Sequence, residues 1–161
     1  MKIFLDTADV DLIEQYYGTG LIDGVTTNPT LIKKSGYDPE EVYRKIALIG
    51  VDDISMEIVT DDSYEFLKEG RRLKEKFGEI TTIKVPCTPE GLKGCKLLSK
   101  EGIRVNVTLI FSAAQAVLAS KAGAAYVSPF VGRVDDNSFD GLGLIKDCLL
   151  YTSPSPRDSR K

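Results

Sequence analysis

Short β-branched runs recur along this chain, and each sorts its side chains by parity. Successive residues of a strand point to opposite faces, so every run carries two sets. Ile3 and Leu5 oppose Phe4 and Asp6, and Val25 opposes Thr26 and Asn28. Ile54, Met56 and Ile58 oppose Ser55 and Glu57, while Ile83 and Val85 oppose Thr82 and Lys84. Val105 and Val107 oppose Asn106 and Thr108, and Val127 opposes Tyr126, Ser128 and Phe130. One set is aliphatic throughout; the other turns polar towards the end of each run. An open sheet with helices on both faces needs two apolar sets. A barrel needs one, because its interior is private and its chemistry sits at the C-terminal mouth of the strands.

The runs define expected strands at Ile3–Asp6, Gly24–Thr27, Ile54–Ile58, Thr81–Val85, Arg104–Thr108 and Ala125–Ser128. Amphipathic segments with helix-start signals separate them, at the period of repeated βα units and a parallel sheet. Thr88 precedes Pro89 and Glu90, a cap followed by proline at the first helical position. Ser112 opens "SAAQAVLASKAG", and Asp61 or Asp62 opens "SYEFLKEGRRLKEKFG", in which Gly70 is a mild helix penalty. The expected fold is therefore an α/β TIM barrel, incomplete, with about six βα units. A full barrel of eight units takes about 200 residues or more, and this chain has 161. Residues 1–147 are expected to form the partial barrel. From Cys148 the tail "CLLYTSPSPRDSRK" breaks character, interrupts the helix begun at "GLGLIKD", and reads as translated adaptor sequence, a non-native tail.

Composition narrows the chemistry. The chain contains no histidine, which excludes Ser-His-Asp triads and histidine-ligated zinc. Its three cysteines have no metal-site spacing, and their odd number fits a reducing cytoplasm. A net charge of −3 with mixed signs offers no basic face for nucleic acid and no polybasic membrane patch. The start "MKIFLDTADV" meets an acid at Asp6 and does not read as a secretory signal. Carboxylates, lysine, hydroxyls, amides or a thiol must carry any reaction.

Lys84 stands out among them. It has an aliphatic neighbour on each side and shares parity with the polar interior set. Burial disfavours an ammonium and frees an amine that attacks carbonyls, while nearby carboxylates oppose that shift. Lys84 is thus a Schiff-base candidate. Asp6 and Glu57 are the candidate proton carriers, two carboxylates able to divide acid and base steps. Thr26, Asn28, Asn106, Thr108 and Ser128 are short polar groups on interior parity, suited either to satisfying the lining or to a substrate rich in hydroxyls. Arg133, in an expected loop after the sixth strand, is either a surface arginine or a bidentate phosphate clamp. Cys87 lacks an activating histidine and reads as a packing residue.

The segments "FLDTAD", "GVTTNPTLI", "SMEIV", "IKVPCTPEGL" and "GIRVNVTLIFSAAQAVLASKAGAAYVSPFVGRVDD" resemble the compact transaldolase family, in order and at family spacing, from residue 1 to about 147. The resemblance implies a class I aldolase-type barrel that moves a dihydroxyacetone unit between ketose and aldose phosphates in the cytoplasm, within the pentose phosphate pathway. It implies no metal and no cofactor, and partners limited to small sugar phosphates, with a homo-oligomer for the full-length protein. By the same resemblance Lys84 forms the Schiff base and Asp6 handles the C4 hydroxyl. Glu57 and Thr108 position a catalytic water; Asn28, Asn106 and Ser128 hold the dihydroxyacetone unit. Arg133 binds phosphate, and Thr26 lines the mouth. The related fructose-6-phosphate aldolases carry Gln in place of Glu57 and Tyr in place of Phe130, so both residues here point to transfer rather than simple cleavage. An inactive sugar-phosphate-binding fragment is the other reading, because an open barrel edge is expected to leave the chain weakly stable and weakly active.

Overall fold

The computed structural model describes residues 1–138 and 140–152. Six parallel strands form one sheet: β1 (Phe4–Asp6), β2 (Gly24–Thr26), β3 (Asp53–Glu57), β4 (Thr81–Pro86), β5 (Arg104–Ile110) and β6 (Tyr126–Pro129). They stand in sequence order, so each crossover advances by one strand in the same direction. A doubly wound sheet would reverse that order partway and clothe both faces. Single winding puts the helices on one side and curls the sheet. The helices are α1 (Val10–Tyr17), α2 (Pro29–Ser35), α3 (Pro39–Ile49), α4 (Ser63–Phe77), α5 (Pro89–Lys100), α6 (Ala113–Ala122), α7 (Val131–Asp136) and α8 (Gly141–Thr152).

Contacts between strands that are not neighbours demonstrate the curl. The Lys84 side chain on β4 reaches the end of β2, and Asn106 on β5 reaches Ser55 on β3. At the opposite end, the Phe4 ring on β1 lies edge-on to Tyr126 on β6, with centroids 5.6 Å apart. The architecture is a curled half-barrel, an incomplete TIM barrel. Among the described residues no strand joins β6 back to β1.

The aliphatic parity packs under the helices: Val25, Ile54, Met56, Ile83, Val85, Val105 and Val107 are all fully buried. Capping follows the expected chemistry. Thr88 and Ser112 accept from Gly91 N and Gln115 N, and Asp62 rather than Asp61 opens α4 through Tyr64 N at 2.7 Å.

Several boundaries differ from expectation for physical reasons. Ile3 lies outside β1 and is 43% exposed, because β1 is an edge strand. Strand β3 starts a residue early, at Asp53, a fully buried carboxylate that accepts from the Tyr126 hydroxyl at 2.9 Å and pairs with Arg104 at 3.0 Å. Strand β5 runs on to Ile110 through a bulge against β6, with Leu109 at φ 60°. That left-handed residue turns its side chain outward and keeps Thr108 buried on the interior. The helix opened at Gly141 is not interrupted at Cys148: α8 runs through Thr152, and Cys148 is buried on it. Residues 153–161, the rest of the expected tail, lie outside the described residues.

Gly70 proves to be a packing requirement. A Cβ there would stand 2.4 Å from Leu98 Cδ2 of α5 and 3.3 Å from Ile83 Cγ1 beneath. The close approach of α4 to α5 over β4 depends on its absence. Gly70→Ala is therefore expected to lower stability by about 1–2 kcal/mol, overpacking outweighing the roughly 1 kcal/mol gained in helix propensity. A urea melt measures this; a raised midpoint would show spare room between the two helices.

Candidate active site

The interior parity converges at the C-terminal ends of the strands, where a cavity of about 500 Å³ opens. Lys84 projects into it from β4 and is 6% exposed. Its Nζ lies 3.0 Å from Glu57 Oε2 on β3, the residue paired with it across the ladder. Nζ also donates to the Thr27 carbonyl at 3.0 Å. A buried cation requires partners of this kind, and here a carboxylate and a backbone dipole supply them.

Asp6, at the end of β1, lines the same cavity and accepts a hydrogen bond from Thr26 Oγ1 at 2.9 Å. Asn28 caps α2, its Oδ1 accepting from Leu31 N at 3.0 Å, which leaves its amide N–H groups for the cavity. Ser128 on β6 lines the opposite wall and donates to Asn106 Oδ1 at 2.8 Å. Thr108 is 1% exposed and lines the cavity, and its Oγ1 has no hydrogen-bond partner among the described residues.

Phe130 and Arg133 complete the wall. Phe130 packs edge-on against Phe111, with centroids 5.5 Å apart, and presents an apolar face. Arg133 sits on the short helix α7, where a loop was expected. Eight of the expected site residues thus line one cavity. Glu57 and Asn106 are not among the lining residues but bond directly to Lys84 and Ser128, which are. Cys87 is half-buried, and burial pushes its thiol up, consistent with packing.

Sequence reasoning did not single out four residues here. Asp136 of α7 also lines the cavity. Ser55 is fully buried, and its hydroxyl accepts from Asn106 Nδ2 at 3.2 Å; its interior parity was a usable signal. Thr27 acts through its backbone carbonyl, which no side-chain pattern reveals. Tyr43 of α3 is buried, and that burial pushes its phenol up to about 12, with the neighbouring Thr27 side chain opposing the shift.

The model of the transaldolase/fructose-6-phosphate aldolase family matches residues 3–153. A probable transaldolase of Nitrosopumilus maritimus is 51% identical over 147 residues, covering 91% of this chain and 66% of that protein. Probable transaldolases of Methanococcus maripaludis and Sphingopyxis alaskensis are 54% and 55% identical, covering 92% and 93% of this chain and 69% of each relative. The chain thus spans about two thirds of the length of the curated relatives it matches. A crystal structure of mandelate oxidase with 3,3-difluoro-2-hydroxy-3-phenylpropionic acid superposes with a TM-score of 0.54 at 13% identity, covering 94% of this chain and 58% of that one. That likeness concerns the fold alone. The family match over nearly the whole chain and the identities above one half lead to one conclusion: this chain belongs to the transaldolase/fructose-6-phosphate aldolase family.

Proposed function

We propose that this chain carries out transaldolase-type chemistry, moving a dihydroxyacetone unit from a ketose phosphate to an aldose phosphate through a Schiff base on Lys84. The observation that carries the reading is the inward-facing Lys84 nitrogen, 3.0 Å from a carboxylate, in a cavity shared with a second acid and a row of short polar groups. Membership of the family and relatives bearing the name probable transaldolase support it.

In this mechanism the neutral Lys84 amine attacks the C2 ketone of fructose 6-phosphate or sedoheptulose 7-phosphate, forming the N–C2 bond and a carbinolamine. Water leaves as the iminium forms, with Glu57 passing protons through a water held by the Thr108 hydroxyl, which has no partner among the described residues. Asp6 then takes the proton of the C4 hydroxyl. The C3–C4 bond breaks, its electron pair neutralises the iminium as an enamine, and the aldose phosphate leaves. Glyceraldehyde 3-phosphate or erythrose 4-phosphate accepts the enamine carbon, and Asp6 returns its proton to the new hydroxyl. Thr26 keeps Asp6 oriented, while Asn28 and Ser128, the latter oriented by Asn106, hold the hydroxyls of the three-carbon unit. Arg133 receives the phosphate as a planar, permanently charged donor.

Phe130 favours transfer over release. Its ring offers no proton to the enamine, so the three-carbon unit waits for an aldehyde. Phe130→Tyr is expected to raise the release of dihydroxyacetone from fructose 6-phosphate, measured without an acceptor; unchanged release would remove this role from the ring. Borohydride treatment of the chain with fructose 6-phosphate is expected to fix one three-carbon adduct, located at Lys84 by peptide mass mapping. An unmodified Lys84 beside a labelled surface lysine would overturn the Schiff-base reading. Trapping is stoichiometric and does not require multiple turnover.

A further inference from the structure

We propose that Thr27 is a positioning residue for the Lys84 amine: its side chain fixes the backbone carbonyl that turns the nitrogen lone pair into the cavity. The proposal rests on the Schiff-base reading and extends it to a residue that touches no substrate.

Thr27 is fully buried at the end of β2 and is tied to Ser55 twice. Its backbone N–H donates to the Ser55 carbonyl at 3.2 Å, and its Oγ1 donates to that same oxygen at 2.9 Å. Two bonds to one acceptor fix the Thr26–Thr27 peptide plane and the side-chain rotamer, and so hold the Thr27 Cα from which the next peptide unit leaves. The carbonyl of that next unit accepts from Lys84 Nζ at 3.0 Å. Ser55 is itself fully buried and also receives Asn106 Nδ2 on its hydroxyl, so the anchor has little freedom to move.

A tetrahedral nitrogen has four directions. For Lys84 one is taken by Cε, one points to Glu57 Oε2 and one to the Thr27 carbonyl. Lys84 lines the cavity, and the proposal assigns the fourth direction to it. In the ammonium that position holds a proton; when it departs to water, two N–H bonds remain, one for each acceptor. The lone pair then occupies the direction from which a ketone arrives. During attack this pair forms the N–C2 bond while the carbonyl π pair moves onto oxygen. Glu57 alone would leave the amine able to rotate about its Cε–N bond, with the lone pair directed into the wall for part of the time. A second, immobile acceptor removes that freedom, which is orientation catalysis supplied by backbone.

Thr27→Val keeps the branched shape and the backbone bond to Ser55 but removes the hydroxyl anchor. Thr27→Ser keeps the hydroxyl. The probe is dihydroxyacetone, the three-carbon ketone itself, which needs no phosphate contact. The initial rate of its borohydride trapping on Lys84 is followed against its concentration in the 161-residue chain. T27V is expected to lower the maximum trapping rate about tenfold with the half-saturating concentration unchanged, and T27S to restore it to within about twofold of the parent. A parent that traps normally with T27V equal to it would overturn the role of Thr27, as would T27S losing as much as T27V. Should T27V not fold, Thr27→Ser and Thr27→Cys compare a strong and a weak donor at the same site. A faster rate for serine is then expected, and equal rates would refute the proposal. A parent that shows no adduct on Lys84 sinks the Schiff-base reading instead, so the two failures are distinguishable.

Discussion

A lysine held inside a curled sheet is the constraint on which the site depends. Moving an ammonium out of water costs several kcal/mol even after a protein relaxes around it, and only close, well-oriented acceptors offset that. Glu57 is placed by register, directly across the ladder from Lys84. Thr27 is placed by curvature, since a carbonyl at the end of β2 meets a side chain of β4 only when the sheet bends around them. The geometry that closes the interior is therefore the geometry that makes the lysine tolerable. Single winding supplies it by stacking the crossover helices on the outer face and leaving the inner one mainly to polar side chains.

The same inner face is organised in layers. Asp53, Arg104 and Tyr126 form the floor at the N-terminal end of the strands, bridging β3, β5 and β6. Above them Ser55, Asn106 and Ser128 form a hydrogen-bonded row across the same three strands. The mouth carries Lys84, Asp6 and Thr108. The floor holds the sheet in its curl, the middle row fixes side-chain orientation, and the mouth is left with groups whose donors and acceptors are not all engaged within the protein.

Much of this was legible because parity in a strand is rigid. Lys84, Asp6, Thr26, Thr108 and Ser128 all fall on the face where a two-residue period puts them, and all line the cavity. Alternation could not register what depends on backbone or on distance. Starting β3 at Ile54 hid Asp53, which carries the interior parity one residue earlier. Leu109 breaks the period with a left-handed φ, a bulge that no local composition announced in a run of β-formers. Gly70 read as a helix penalty because its reason lies on another helix, in Leu98. Thr27 went unremarked as the last residue of the expected second strand, because the group that matters there is its carbonyl.

The site stands on where the Lys84 nitrogen is and what holds it. Proton-detected nitrogen NMR of the lysine side chains, with Lys84→Arg used to assign the signal, addresses both without substrate. Nζ protons donated to Glu57 and Thr27 inside the sheet should exchange with water far more slowly than those of Lys68, whose side chain is 77% exposed. A Lys84 signal that exchanges as fast as Lys68 would place its nitrogen in solvent and contradict the account.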